Sequence, residues 1–262
     1  MSAEVPSVEP MRTRDDIRRW WDADAEVYDR VPNHALSDPV EAAAWRAALT
    51  ANLPPPPARI LDAGAGTGAI ALLLAELGYP VTALDLSERM LERARDKAAE
   101  RGLEIDFVVG PVEEPPAGPF DAVVERHVLW TTLDPQAVLR SWRAAAPGGR
   151  LLLLEGLWSA QGVVARARSL LAERLRGRRR EHGGHHGGHH AAYDPHLVAR
   201  LPLAAARTPR PLLRAVVGAG WVAPRIVRLR DVEWARHLAA GEPLGTLQHA
   251  PQYAIAAEDR RN

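Results

Sequence analysis

Residues 59–68 of this chain read RILDAGAGTG, in which a short apolar run ends on an acid and passes into three closely spaced glycines. Residues 59–63 are typical of a buried β-strand, and the apolar run at 67–77 predicts a helix. Glycine suits a sharp turn from strand to helix and lets a ligand approach the backbone without a Cβ in the way. Since a helix start also offers free N–H groups and a positive dipole end, the stretch predicts a binding site at this turn.

The following segments continue the alternation of short β-type runs and longer helical runs. Strands are predicted at 81–85, 104–109, 120–125 and 150–155, and helices at 87–101 and 135–145. A last pair of strands is predicted at 222–229 and 253–257. Because such alternation indicates a parallel sheet with right-handed crossovers, the sequence predicts an α/β, doubly wound fold.

Smaller units are predicted around this main domain. Residues 1–10 are predicted to form a mobile tail, and the apolar and aromatic residues of 11–53 recur at helical spacings, which predicts an N-terminal helical lid. A proline run at 54–57 begins the main domain, residues 54–262. Within it the alternation weakens from about 156 to 210, which predicts a helical or loop insertion after the fifth strand.

The composition disfavours several classes of partner. Acidic and basic residues balance at 33 each, so no net field attracts nucleic acid or an anionic membrane. The chain has no cysteine, which excludes disulfides, thiolate catalysis and cysteine metal ligands. No apolar run approaches the roughly 20 residues of a membrane span, and the first residues lack the pattern of a signal peptide. We therefore expect a cytoplasmic protein that is a monomer or a homodimer.

Asp85 is the second strong signal for a binding site. It ends the second predicted strand, where a carboxylate can accept hydrogen bonds from both hydroxyls of a ribose. The alternative is that Asp85 caps the following helix, but Ser87 is better placed for that role. Leu86 and Met90 would then flank an adenine ring.

Three blocks together resemble a known family: ILDAGAGTG at 60–68, VTALDLSERML at 81–91 and AAAPGGRLLLLE at 144–155. They resemble the class I SAM-dependent methyltransferases, and within that class the methyltransferase type 11 and UbiE-like group. The resemblance implies a Rossmann-like sheet of seven strands with an antiparallel last hairpin. It also implies S-adenosyl-L-methionine (SAM) as methyl donor and S-adenosyl-L-homocysteine as product. The leading hypothesis for the acceptor is a small molecule, which we expect to be a secondary metabolite.

The resemblance also implies which residues surround the cofactor. Asp62, Gly64 and Gly66 would lie around its amino acid end, Asp85 at the ribose and Leu86 on the adenine. After the third strand, many relatives place Gly-Asp where this chain has Gly-Pro-Val-Glu, so adenine contacts there fall to backbone groups or to Glu113. The predicted cofactor-binding set is Tyr28, Asp62, Gly64, Ala65, Gly66, Gly68, Asp85, Leu86, Met90, Val112, Glu113, Glu125 and Arg126.

Candidates for catalysis lie at the ends of the fourth and fifth strands, because parallel sheets bind ligands at their carboxyl edge. His127 is predicted as a general base, or alternatively as a structural histidine below the cofactor. Arg126 would face the cofactor carboxylate or an acidic acceptor, or form an ordinary ion pair. Glu155 would contact the acceptor, or else cap a helix or face solvent. Tyr28 belongs to a W…YD pattern that resembles a lid element, although such aromatic residues are often core.

Two further features leave functional alternatives open. The tract at 182–190 carries five of the ten histidines, but its glycine spacers favour a flexible loop over a metal site, so no metal is predicted. The arginine-rich run at 166–180 favours a solvated helix face over an RNA site. Besides small-molecule methylation, the alternatives are a tRNA or rRNA methyltransferase, and a SAM-binding protein of this fold that does not methylate, such as a binding protein or a cyclase.

Overall fold

A computed structural model describes residues 10–156, 198–240 and 251–260 of the chain. The predictions for residues 1–9 and for most of the insertion, including the arginine-rich run and the histidine tract, lie outside these residues. Residue 10, placed in the tail by the sequence, is the first residue of a helix. The domain boundaries otherwise stay predictions.

The main domain is built on seven strands and their flanking helices. The strands are β1 (Ile60–Ala63), β2 (Val81–Asp85), β3 (Asp106–Val109), β4 (Ala122–Arg126), β5 (Arg150–Gly156), β6 (Val222–Arg228) and β7 (Gln252–Glu258). The helices described are α1 (Pro10–Asp24), α2 (Pro32–Ala35), α3 (Pro39–Asn52), α4 (Ala69–Glu76), α5 (Glu88–Glu100), α6 (Pro135–Ala145), α7 (Arg210–Gly218) and α8 (Arg230–Ala240). Short 3₁₀ turns occur at Tyr28–Arg30 and Leu129–Thr131.

The sheet confirms the predicted fold class. Its strand order is β3-β2-β1-β4-β5-β7-β6, with the first five strands parallel and β7 antiparallel to both of its neighbours. The order reverses between β1 and β4, so a crevice opens at the carboxyl ends of these two strands. The arrangement is that of class I methyltransferases, with the antiparallel hairpin that the resemblance implied.

Apolar residues of the strands divide the core between the two faces of the sheet. Ile60 belongs to the cluster packed by α3 and α4 around Trp45 and Leu74, whereas Leu61 belongs to the cluster packed by α6 and α7 around Trp142. Successive strand residues point to opposite faces, so the buried run of β1 serves both layers.

Several helix starts follow from local sequence. Asp38, Ser87 and Asp134 each accept a hydrogen bond from the backbone N–H three residues further on, at the starts of α3, α5 and α6. Ser87 is therefore the cap of α5, as predicted. The helix expected at 67–77 begins later, at Ala69, because Gly68 has a φ of +83°. Helix α8 was not predicted from the sequence.

Within the described residues, no helix is both long and apolar enough to cross a membrane.

Candidate active site

The carboxyl edge of the sheet gathers the predicted site residues. Asp62, Asp85, Arg126 and Glu155 end or nearly end β1, β2, β4 and β5, and His127 follows β4 directly. A small cavity of about 30 Å³ lies over the β1–α4 turn. It is lined by Tyr28, Asp62, Gly64, Ala65, Gly66, Thr67, Ala69, Ile70 and Arg126.

The β1–α4 turn depends on glycine at defined positions. Gly64, Gly66 and Gly68 all have positive φ, between +55° and +83°. A Cβ on Gly64 would lie 2.3 Å from Cγ2 of Val128, whereas a Cβ on Gly66 would meet nothing within 4 Å. The N–H groups of Gly64 and Ala65 donate to the carbonyl of Leu84 at 2.7 and 2.9 Å. The first part of the turn is therefore packed and fixed to β2, and Gly66 borders open space.

Asp85 holds the outer part of the same turn. Its Oδ2 accepts a hydrogen bond from Gly66 N at 2.7 Å and its Oδ1 accepts one from Ser87 N at 2.8 Å. Burial raises the pKa of Asp85 to about 6, although both N–H groups favour the charged form. Asp85 thus sets the shape of the glycine turn, and its contact with a ribose stays a prediction.

The predicted adenine contacts are distributed unevenly. Met90 is buried and its N–H donates to Ser87 Oγ, and Leu86 is half-buried. The carbonyl of Val112 accepts a hydrogen bond from Trp142 Nε1 at 2.7 Å. Neither Val112 nor Glu113 lines the cavity, so their contact with adenine stays a prediction.

Asp62 is a buried acid, and one of its carboxyl oxygens makes no hydrogen bond with a described residue. It is 1% exposed, and its Oδ2 has no hydrogen-bond partner among the described residues. Burial raises the pKa of Asp62 to about 7, and the charge of Arg126 offsets part of that rise. A carboxyl group in this state favours a cationic ligand, because the cation restores the charge interactions that burial has removed.

Glu125 stabilises the turn that follows β4. Its Oε2 accepts hydrogen bonds from Val128 N at 2.8 Å and Leu129 N at 3.2 Å. Burial raises the pKa of Glu125 to about 8, and the neighbouring charge of Asp62 acts in the same direction. Glu125 therefore positions Val128, the residue that packs against Gly64, and its direct contact with a cofactor stays a prediction.

His127 and Glu155 form a buried pair. His127 Nδ1 accepts a hydrogen bond from Gly156 N at 3.2 Å and lies 3.4 Å from Glu155 Oε2. Burial, together with Arg126, Arg236 and His34, holds the pKa of His127 well below its usual range, while burial and the charge of Glu125 raise the pKa of Glu155 well above its own. A neutral ring with Nδ1 as acceptor carries its proton on Nε2. Glu155 is 4% exposed, so the alternative of a solvent-facing role is wrong.

Arg126 joins the sheet to the N-terminal helices. Its Nη1 and Nη2 donate to the carbonyls of Asn33 and His34 at 3.3 and 2.9 Å, and its guanidinium carbon lies 5.8 Å from the ring centre of Trp45. It makes no ion pair with any residue the structure describes, so the alternative of an ordinary ion pair is not supported there. Arg126 therefore brings to the cavity a guanidinium that is not in an ion pair with a carboxylate of the described residues.

The N-terminal helices close over this edge through contacts that the sequence did not reveal. Tyr28 stacks on His34 with ring centres 4.2 Å apart. Asp29 accepts hydrogen bonds from Thr67 Oγ1 and Lys97 Nζ, both at 2.7 Å, and Asp22 accepts one from Ser87 Oγ at 2.6 Å. The acid following Tyr28 in the W…YD pattern was the available signal for Asp29, whereas nothing local identified Asp22 or Lys97.

Among the described residues, no group of three or more histidine and acidic side chains is arranged to hold a metal ion.

Comparison with known proteins gives the class to which this site belongs. Residues 61–153 match the family described as "Methyltransferase domain". Together with the strand order and the glycine turn, this match supports a SAM-dependent methyltransferase domain of class I over these residues.

The curated relatives match only part of this chain. The chain is 39% identical over 139 residues to a ubiquinone biosynthesis O-methyltransferase of Xanthomonas axonopodis pv. citri (strain 306). That alignment covers 52% of this chain, and the chain spans about half the length of the curated relatives it matches, 55% in this case.

Solved structures share the fold at low identity. One is a geranyl diphosphate methyltransferase in complex with GPP and sinefungin (19% identity, 95% of this chain and 100% of that chain, TM-score 0.60). Another is the [4+2]-cyclase SpnF (20% identity, 78% and 76%, TM-score 0.50). The fold is therefore common to proteins of different reaction types.

Gly64 and Gly66 provide a matched pair for the turn. Gly64→Ala is expected to lower the free energy of unfolding by about 3 kcal/mol or more, because it adds a clash with Val128 to an unfavourable left-handed φ. Gly66→Ala is expected to cost only the conformational part, about 1–2 kcal/mol. Urea unfolding measures both, and equal losses would show that the turn is not packed as described.

The buried acids predict a dependence of stability on pH in the cofactor-free protein. The raised pKa values mean that the folded state holds protons which the unfolded chain has already lost, so the free energy of unfolding falls as pH rises from about 4 to about 8. Asp62→Asn removes one such group. Between pH 5 and pH 8, the free energy of unfolding of this variant is expected to be higher than that of wild type by about 1–3 kcal/mol. Urea titrations at several pH values measure this gain.

Asp96→Asn, the same change at an exposed position of α5, is the control and is expected to follow the wild-type curve. A parallel pH dependence in wild type and Asp62→Asn would contradict the assignment of Asp62.

Proposed function

We propose that this protein is a SAM-dependent methyltransferase that transfers a methyl group to an oxygen atom of a small molecule. The observation that carries the proposal is the buried carboxyl oxygen of Asp62 that has no hydrogen-bond partner among the described residues and lies beside a glycine turn lining a cavity. The methyltransferase family match and the 39% identical ubiquinone O-methyltransferase support the reaction and the choice of oxygen.

The residues present fit the cofactor. Asp62 would bind the cationic amino group, the glycine turn would accept the amino acid backbone closely, and Asp85 would use its remaining lone pairs on the ribose hydroxyls. Arg126 lines the cavity and would meet the cofactor carboxylate. When bound, SAM supplies a methyl group on a positively charged sulfur, which the acceptor displaces to leave neutral S-adenosyl-L-homocysteine.

The chain contributes mainly positioning and exclusion of water. The aromatic stack of Tyr28 on His34 and the hydrogen bonds of Asp29 fix the N-terminal helices above the cavity. Holding an acceptor in line with a reactive methyl group can lower the barrier by roughly 7–11 kcal/mol in the best intramolecular cases. His127 would donate a hydrogen bond from Nε2–H to an acceptor oxygen that binds already deprotonated, so the transfer releases no proton; its Nδ1 already accepts from Gly156. Glu155 would position this ring.

Transfer of label from methyl-labelled SAM tests the reaction class. Incubated with a small-molecule extract, total RNA and the labelled cofactor, the wild-type protein is expected to label the small-molecule fraction. Asp62→Asn is expected to transfer about tenfold less label, or lower still, because cofactor binding is weakened. Asp96→Asn should transfer as much label as wild type. Label in RNA would instead indicate a nucleic-acid methyltransferase, and cofactor binding without transfer would indicate a binding protein or cyclase.

His127 variants separate a hydrogen-bond donor from the general base predicted from the sequence. His127→Ala is expected to leave the affinity for S-adenosyl-L-homocysteine within a few-fold while turnover falls by roughly 10²-fold. His127→Asn keeps an N–H donor and lacks a base, so a donor role predicts turnover well above that of the alanine variant. Equal losses in the two variants would assign His127 as the base.

A further inference from the structure

Arg236 lies in helix α8, outside the part of the chain that matches the methyltransferase family, and over the same Trp45 ring as Arg126, which lines the candidate site. Its side chain is 17% exposed. Its Nε donates to Glu41 Oε1 at 2.7 Å, and its guanidinium carbon lies 5.6 Å from the ring centre of Trp45. Glu41 also accepts a hydrogen bond from Trp45 Nε1 at 3.2 Å. The guanidinium of Arg236 is therefore fixed in place by two buried residues.

This anchoring leaves the far side of the guanidinium available. No hydrogen bond joins Nη1 or Nη2 of Arg236 to any residue that the structure describes. By contrast, Arg228, at the end of β6, uses both Nε and Nη2 on the carboxylate of Glu233. The planar pair of Nη groups suits an anion with two oxygens.

The charge of Arg236 reaches the acceptor side of the site. Arg126 and Arg236 both lie over the ring of Trp45. Arg126 and Arg236 both lower the pKa of His127 through their positive charge. Guanidinium groups keep their charge at neutral pH, whereas burial drives Glu125 and Glu155 towards their neutral forms. The field beside His127 is therefore positive.

We propose that Arg236 binds an anionic group of the methyl acceptor, a carboxylate or a phosphate, and so determines which acceptors enter the site. The proposal rests on the proposed function, because it assigns the acceptor of that same site. Arg236 is a binding residue in this account, and methyl transfer itself remains with the groups at the ends of β4 and β5.

The experiment titrates the protein, saturated with S-adenosyl-L-homocysteine, with benzoate and phenyl phosphate as anionic probes. Benzamide and benzylamine are the neutral and cationic counterparts. At least one anion is expected to bind about tenfold or more tightly than benzamide, and the comparison of the two anions distinguishes a carboxylate from a phosphate site. Calorimetry at fixed ionic strength provides the affinities.

Variants assign the preference to Arg236. Arg236→Gln is expected to reduce the anion affinity to that of benzamide while leaving the affinity for S-adenosyl-L-homocysteine unchanged, and Arg236→Lys should retain part of the preference. Arg228→Gln removes the arginine of the Arg228–Glu233 ion pair. This control variant should bind the anions and S-adenosyl-L-homocysteine as tightly as wild type. Should Arg236→Gln fail to fold, the probe selectivity of the wild-type protein and of Arg236→Lys still decides.

Equal binding of benzoate, phenyl phosphate and benzamide to the wild-type complex would overturn the proposal, as would an anion preference that survives in Arg236→Gln. Either result leaves the proposed function intact, because binding of S-adenosyl-L-homocysteine is measured separately. Failure of that binding would overturn the proposed function and this inference with it.

Discussion

The hydrogen bond from Gly66 N to the carboxylate of Asp85 is the contact on which the site depends. It joins the β1–α4 turn to the end of β2 at the point where the turn meets open space. The other oxygen of Asp85 accepts from Ser87 N, so the same carboxylate also sets the start of α5. Because the three turn glycines have positive φ, the turn needs such an external partner to keep one conformation.

Burial then separates the charges of the site into two regions. On the cofactor side, Asp62 and Asp85 are acids whose pKa values burial raises to about 7 and about 6, so a bound cation is the ligand that stabilises their charged forms. Arg126 lines the same cavity as Asp62 and lies over Trp45, and Arg236 lies over the same ring on the side proposed for the acceptor. This division is consistent with a cationic methyl donor meeting an acceptor that carries negative charge.

Local sequence determined the parts of this arrangement that could be predicted. Three parts of the site act within a few residues of their own position: the glycine turn, the strand-end acid Asp85 and the cap Ser87. Periodicity predicted the ends of all seven strands to within about two residues. Arg236 and Glu41 are separated by 195 positions, and Lys97 and Asp29 by 68, so no local pattern could pair them. The tautomer of His127 depends on the hydrogen bond from Gly156 N, a partner that only the register of β4 and β5 supplies.

Amide hydrogen exchange tests the central claim most directly, because it measures whether the glycine turn itself holds the cofactor. On addition of S-adenosyl-L-homocysteine, exchange at the amides of residues 64–68 is expected to slow by about tenfold or more. The amides of residues 148–150, which line a separate cavity at the other end of the sheet, should not change. Binding of the ligand without slower exchange at residues 64–68 would contradict the account.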